Sequence, residues 1–224
     1  MNTLKEIFVT TDGGLTTSGY IACIAAAIIA FVLAVFFIRK NKNEAVDVRK
    51  LVVCGVCIAL GYVLSFVKII PLPFGGSATL CSMLFIVLVG YFYGAGTGIL
   101  VAFVYGMLQF LQGPYILSAF QVCCDYLFAF ACLGLSGFFR KKENGLILGY
   151  IVAILARGAF HSLGGYLYWM EYMPDNFPAE FAWIYPVVYN YMYILAEGLI
   201  TVIVLCLKPV KNAIAEVRKT ILTK

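Results

Sequence analysis

Seven long apolar runs, almost free of charge, limit what this chain can become more than any other feature. They cover residues 18–38, 51–70, 78–93, 97–111, 116–139, 146–168 and 185–207. About 20 apolar residues in a helix cross the hydrocarbon core of a bilayer, which is about 30 Å thick. The breaks between runs are abrupt. A polar stretch, Arg39-Lys40-Asn41-Lys42-Asn43-Glu44, comes after the first run. Pro71, Pro73, Gly75 and Gly76 come after the second, and Gly94, Gly96, Gly113 and Pro114 close the next two. Glycine and proline end helices because one loosens the backbone and the other removes a donor.

Composition agrees. Of the 224 residues 63% are hydrophobic and 12% charged, against about 25% charged in an average soluble domain. Mean hydropathy is +0.96. So few charges cannot cover so much apolar side chain in water. A soluble enzyme, a disordered chain and a nucleic-acid binder are thereby excluded, and the chain reads as an all-α integral membrane protein. The net charge of +5 does not call for an anionic partner. Thirteen of the sixteen Lys and Arg fall in segments 39–50, 140–142 and 208–224, between the runs. The preference of basic loops for the cytoplasm accounts for that placement. It predicts seven spans, the N-terminus outside, the C-terminus inside, and outer loops at 68–79, 112–115 and 169–184. The run 18–38 is too long for a cleaved signal and is followed by Arg39-Lys40, so it reads as a retained span.

Of the eight cysteines, Cys54 and Cys57 make a lone C-x-x-C. With one histidine, His161, far away in sequence, these read as small, reduced core residues, and no metal site or cofactor is expected. Nucleotide-binding and hydrolase signatures are missing: no P-loop, no G-x-G-x-x-G, no nucleophile elbow. The chain reads as a non-enzyme that cannot hydrolyse ATP itself.

An ionisable residue in mid-membrane costs at least about 2.5–3.5 kcal/mol, so it needs a partner or a purpose. Asp125, Arg157, His161 and Glu197 are such residues. Gln121 and Asp125 share a helix face, as do Arg157 and His161. Asn190, Tyr193 and Glu197 line one face of the last span. Asp125, His161 and Asn190 fall at one depth in the outer half of three helices. Tyr105, Tyr115, Tyr126, Trp169 and Tyr185 lie near the outer ends. Interhelical hydrogen bonds and an interfacial aromatic belt are the plainer readings. A carboxylate among aromatic faces also suits a flat, cationic ligand. Trp169 and Trp183 both lie in the outer loop expected to close over it.

Four stretches carry a family resemblance. They are Gly113 to Gly137 (GPYILSAFQVCCDYLFAFACLGLSG), Phe160 to Tyr166 followed by Trp169, Tyr185 to Asn190, and Gly75 to Leu80 with Met83. Over about residues 48–208 the chain resembles the thiamine-specific substrate-binding subunit, or S-component, of energy-coupling-factor (ECF) transporters. The resemblance implies a six-helix core that captures thiamine from outside. It implies docking onto a transmembrane coupling subunit with two ATPase subunits, and toppling in the membrane to release thiamine inside. It places Asp125 at the family's binding carboxylate, and Tyr126, His161, Trp169, Tyr185 and Asn190 at binding positions, with Tyr115 and Tyr105 beside them. Gly55 and Ala59 match a small-residue pair that meets the coupling subunit.

Three features depart from the family. Asp125 stands where Glu is usual. A tryptophan before the third run is missing, with Phe74 as its nearest stand-in. The first span is extra to the core. The expected organisation is therefore 1–47 as extra span and linker, 48–208 as binding core, and 209–224 as a basic cytoplasmic tail. Three other readings stay open: the same fold binding another vitamin or a thiamine precursor, a stand-alone secondary transporter with Arg157 and Glu197 as its coupling pair, and a membrane enzyme or structural subunit.

Overall fold

A computed structural model describes residues 47–222 together with 7, 16–22 and 25. The expected first span, 18–38, its linker and the outside N-terminus fall almost wholly outside the described residues.

Helix α1, Val48–Ser65, begins where the Asp47 side chain accepts the Lys50 N–H at 3.0 Å. It stops short of the expected end at 70. Residues Lys68–Pro71 (β1) and Ser77–Thr79 (β2) instead form a small antiparallel hairpin with Ile70 opposite Ala78. This corrects the purely helical expectation. Two β-branched residues, Ile69 and Ile70, favour extended backbone, and Pro71 forces it on the residue before it. The tip turns through Phe74 (φ 58°) and Gly75 (φ 88°).

Helices α2 (Ser82–Tyr93) and α3 (Ala95–Phe110) come next, joined at Gly94 with φ 93°. Helix α2 is buried nearly all round and forms the middle of the bundle, as a helix without a polar face must. Helix α4, Ala119–Phe139, starts at Ser118, whose hydroxyl accepts the Gln121 N–H at 3.0 Å. It widens into a π-turn at Cys123–Phe128 and tightens into a 3₁₀ stretch from Cys132. A Cβ at Gly134 would sit 2.1 Å from the Ile99 nitrogen, so only glycine lets α4 lie this close to α3. Helix α5, Gly145–Tyr172, widens into a π-turn at Gly165–Trp169. Helix α6 is Tyr185–Cys206, and a basic amphipathic helix, α7, runs over Lys208–Leu222.

The segments of α1, α4, α5 and α6 are long and apolar enough to cross a membrane; α2 and α3 are apolar but shorter. Described residues of the three basic segments meet at one end of the bundle. Arg49 donates to the Thr220 carbonyl at 3.1 Å, and Arg218 donates to the Arg140 carbonyl at 2.7 Å. The hairpin and the ends of α3 and α5 lie at the other.

Candidate binding site

At the hairpin end the helices enclose a cavity of about 170 Å³. Tyr105, Tyr115, Asp125, Tyr126, His161, Trp169, Tyr185 and Asn190 all line it. The eight positions singled out in the sequence thus meet in one place.

Asp125 is the hub. Its Oδ2 accepts from Gln121 Nε2 at 2.7 Å and from the Trp169 indole N–H at 3.4 Å. Its Oδ1 lies 3.2 Å from His161 Nδ1. Arg157 Nε, which can only donate, lies 3.2 Å from His161 Nε2. That bond makes Nε2 the acceptor and puts the imidazole proton on Nδ1, where it is donated to Asp125. A neutral imidazole therefore bridges a buried cation and a half-buried carboxylate. Arg157 also stacks on Phe130, its guanidinium carbon 4.2 Å from the ring centre. Both charges gain partners, as burial requires.

Backbone form explains this convergence. Asp125 and Tyr126 sit inside the π-turn of α4, and Trp169 closes the π-turn of α5. Such turns are rare and cluster at functional sites. Gly164 provides the clearance, since a Cβ there would lie 2.8 Å from Asp125 Oδ1.

Rings build the walls. Trp169 packs against Tyr115 at 5.6 Å, Phe74 at 6.1 Å and Tyr172 at 5.2 Å between centres. Phe74, at the hairpin tip, thus stands over Trp169. Tyr126 Oη accepts the Tyr115 N–H at 3.2 Å. Tyr105 lies fully buried, its hydroxyl donating to the Gly61 carbonyl at 3.3 Å. Asn190 Nδ2 donates to the Pro186 carbonyl at 2.8 Å, and its Oδ1 accepts from Tyr193 at 3.0 Å.

Three expectations change. Trp183 is 63% exposed and does not line the cavity, so Trp169 alone of the two tryptophans does. Arg157 and Glu197 both line the cavity but do not pair; Glu197 accepts from Thr79, Ser82 and Met83 instead. Tyr189 joins the site as a residue that sequence reasoning misses: it lines the cavity and its hydroxyl bonds the Pro73 carbonyl. The spacing Tyr185, Tyr189, Tyr193, one stripe on a helix, is the signal for it. Gly55 and Ala59 lie elsewhere, exposed on the outer face of α1.

An apolar helical bundle that keeps a bonded carboxylate inside an aromatic chamber has the form of a multi-pass membrane protein that holds a solute. Residues 51–216 match the family described as Thiamine transporter protein (Thia_YuaJ), and the chain belongs to that family. It is 28% identical over 181 residues to the Thiamine transporter ThiT of Bacillus subtilis (strain 168), spanning 74% of this chain and 92% of that protein. Among solved structures it is similar to ThiT from Listeria monocytogenes, with 25% identity and a TM-score of 0.55 over 71% of this chain and 94% of that one.

Proposed function

We propose that this protein captures thiamine from outside the cell, as the substrate-binding subunit of an ECF transporter. One observation carries the reading: Asp125 presents a carboxylate inside a ring-walled cavity. Thiamine brings a permanent thiazolium charge and a flat aminopyrimidine with an exocyclic amine. The carboxylate answers the cation or the amine, and the faces of Trp169, Tyr126 and Tyr185 answer the rings. His161 and Asn190 line the same cavity, and each would exchange a present hydrogen bond to meet a ring nitrogen. The hairpin, through Phe74, closes the cavity from above.

In this reading the cavity end faces outward and the basic end inward, consistent with the positive-inside rule. Gly55 and Ala59 receive the coupling subunit: a Cβ at Gly55 would meet no atom within 4 Å, so that face of α1 is open to a close-packing helix. Two ATPase subunits supply the energy that this chain cannot.

Calorimetric titration of the purified protein with thiamine tests the proposal. Saturable binding that weakens about tenfold to a hundredfold in Asp125→Asn is expected. No heat above dilution would discard thiamine as the ligand.

A further inference from the structure

The end of the molecule remote from the cavity holds a second recess, about 560 Å³ in volume, between the first turn of α5 and helix α7. Three kinds of group meet there. The start of α5 has no side-chain cap from Asn144 and no acidic residue in its first turn. An uncapped helix start carries partial positive charge; here the Gly145 N–H is already given to the Lys142 carbonyl at 3.0 Å. Lys211, Arg218 and Lys219 line the facing wall, and neither Glu143 nor Glu216 does. Leu146, Ile147 and Ile214 make the rest of the wall apolar.

One cation of this wall, Arg218, is held in place. Arg218 donates to Tyr91 Oη at 2.6 Å and to the Arg140 carbonyl at 2.7 Å, with its guanidinium carbon 4.5 Å from the Tyr91 ring centre. Val210, Ile214 and Ile221 seat α7 on the bundle. A basic amphipathic helix held this way lies along a membrane surface.

We propose that this recess seats the phosphate of an anionic phospholipid, with the acyl chains running along Leu146 and Ile147. Helix starts and fixed cations suit a phosphate. The apolar wall suits its chains, which a free phosphate lacks. Placing the recess at the inner leaflet rests on the orientation proposed above, and the anionic lipids of that leaflet suit it.

Native mass spectrometry of the full chain, released from nanodiscs of phosphatidylcholine and phosphatidylglycerol in equal amounts, tests this. Phosphatidylglycerol should be retained over phosphatidylcholine and resist displacement by inorganic phosphate. Lys211→Gln should lower its retention about fivefold, the effect of one cation near an anionic surface. Lys141→Gln, outside the recess, should not. Ala215→Trp, which fills the recess without removing a charge, should lower retention as well. Equal retention of the two lipids, displacement by phosphate, equal loss in Lys141→Gln, or full retention in Ala215→Trp would each overturn the site. Circular dichroism melts show that the variants fold. Thiamine plays no part in this readout, so it and the thiamine titration fail separately.

Discussion

Glu197 of α6 holds Thr79 of the hairpin by both its donors: Oε2 accepts the Thr79 N–H at 2.8 Å and the Thr79 hydroxyl at 2.6 Å. Its other oxygen accepts the Met83 N–H at 3.2 Å and the Ser82 hydroxyl at 3.3 Å. The start of α2 has no cap of its own, because Cys81 offers no side-chain bond there. A carboxylate 114 residues downstream of Met83 caps it instead, and so ties hairpin, α2 and α6 together.

Replacing Glu197 by Gln turns one acceptor into a donor facing other donors. A buried unsatisfied group costs about 1–3 kcal/mol. We expect a lower melting temperature in detergent and faster amide exchange over residues 77–83. Thr79→Val should show a smaller drop of the same kind. An unchanged melt for Glu197→Gln would mean that this cap does not hold α2.

Asp125→Asn keeps the shape of the hub and removes its charge. Charge-assisted hydrogen bonds contribute about 1.5–3 kcal/mol, so thiamine affinity should fall about tenfold to a hundredfold. Asp125→Glu should keep binding, since it preserves the charge. Calorimetry reads both, and equal affinity of Asn and Asp forms would remove Asp125 from the ligand's contacts.

Gly164→Ala sets two effects against each other. Alanine favours a helix over glycine by about 1 kcal/mol. The added Cβ, however, lies 2.8 Å from Asp125 Oδ1 and must push the carboxylate away. Weaker thiamine binding with an unchanged or higher melting temperature is expected. Unaltered affinity would show that the carboxylate has room to give.

The two tryptophans separate cleanly by position. Trp169 lines the cavity and donates to Asp125, whereas Trp183 is largely exposed. Thiamine should change the emission of Trp183→Phe as it does that of the parent, and leave Trp169→Phe without response. The reverse pattern would put the ligand at the 179–184 segment.

Much of the architecture is legible in the sequence because water and lipid sort residues so strongly. The apolar runs mark the helices, and basic clusters such as those around Arg49 and Arg140 mark one end. Charged and polar groups inside apolar runs are costly, which is why Asp125, His161 and Asn190 stand out from the sequence alone. Other features leave no such trace. Ile69 and Ile70 extend an apolar run whether the backbone is helical or extended, so β1 hides inside it. Tyr189 reads as one more interfacial aromatic. Glu197 is satisfied by a segment over 110 residues away, through two N–H groups and two hydroxyls, which nothing near it in the sequence announces.

Each π-turn carries one residue more than a regular helical turn would. That extra residue rotates the remainder of the helix by roughly 100° in angular phase. Gln121 and Ala129, on either side of the widened stretch of α4, therefore do not keep the angular relation that a uniform helical wheel assigns them. Deleting a single residue from 123–128 would let the turn close into an ordinary helix and swing the carboxylate's neighbours to other faces. The binding face of α4 is thus specified by residue count as well as by residue type, and a one-residue deletion there should be far more damaging than any conservative substitution within the same stretch.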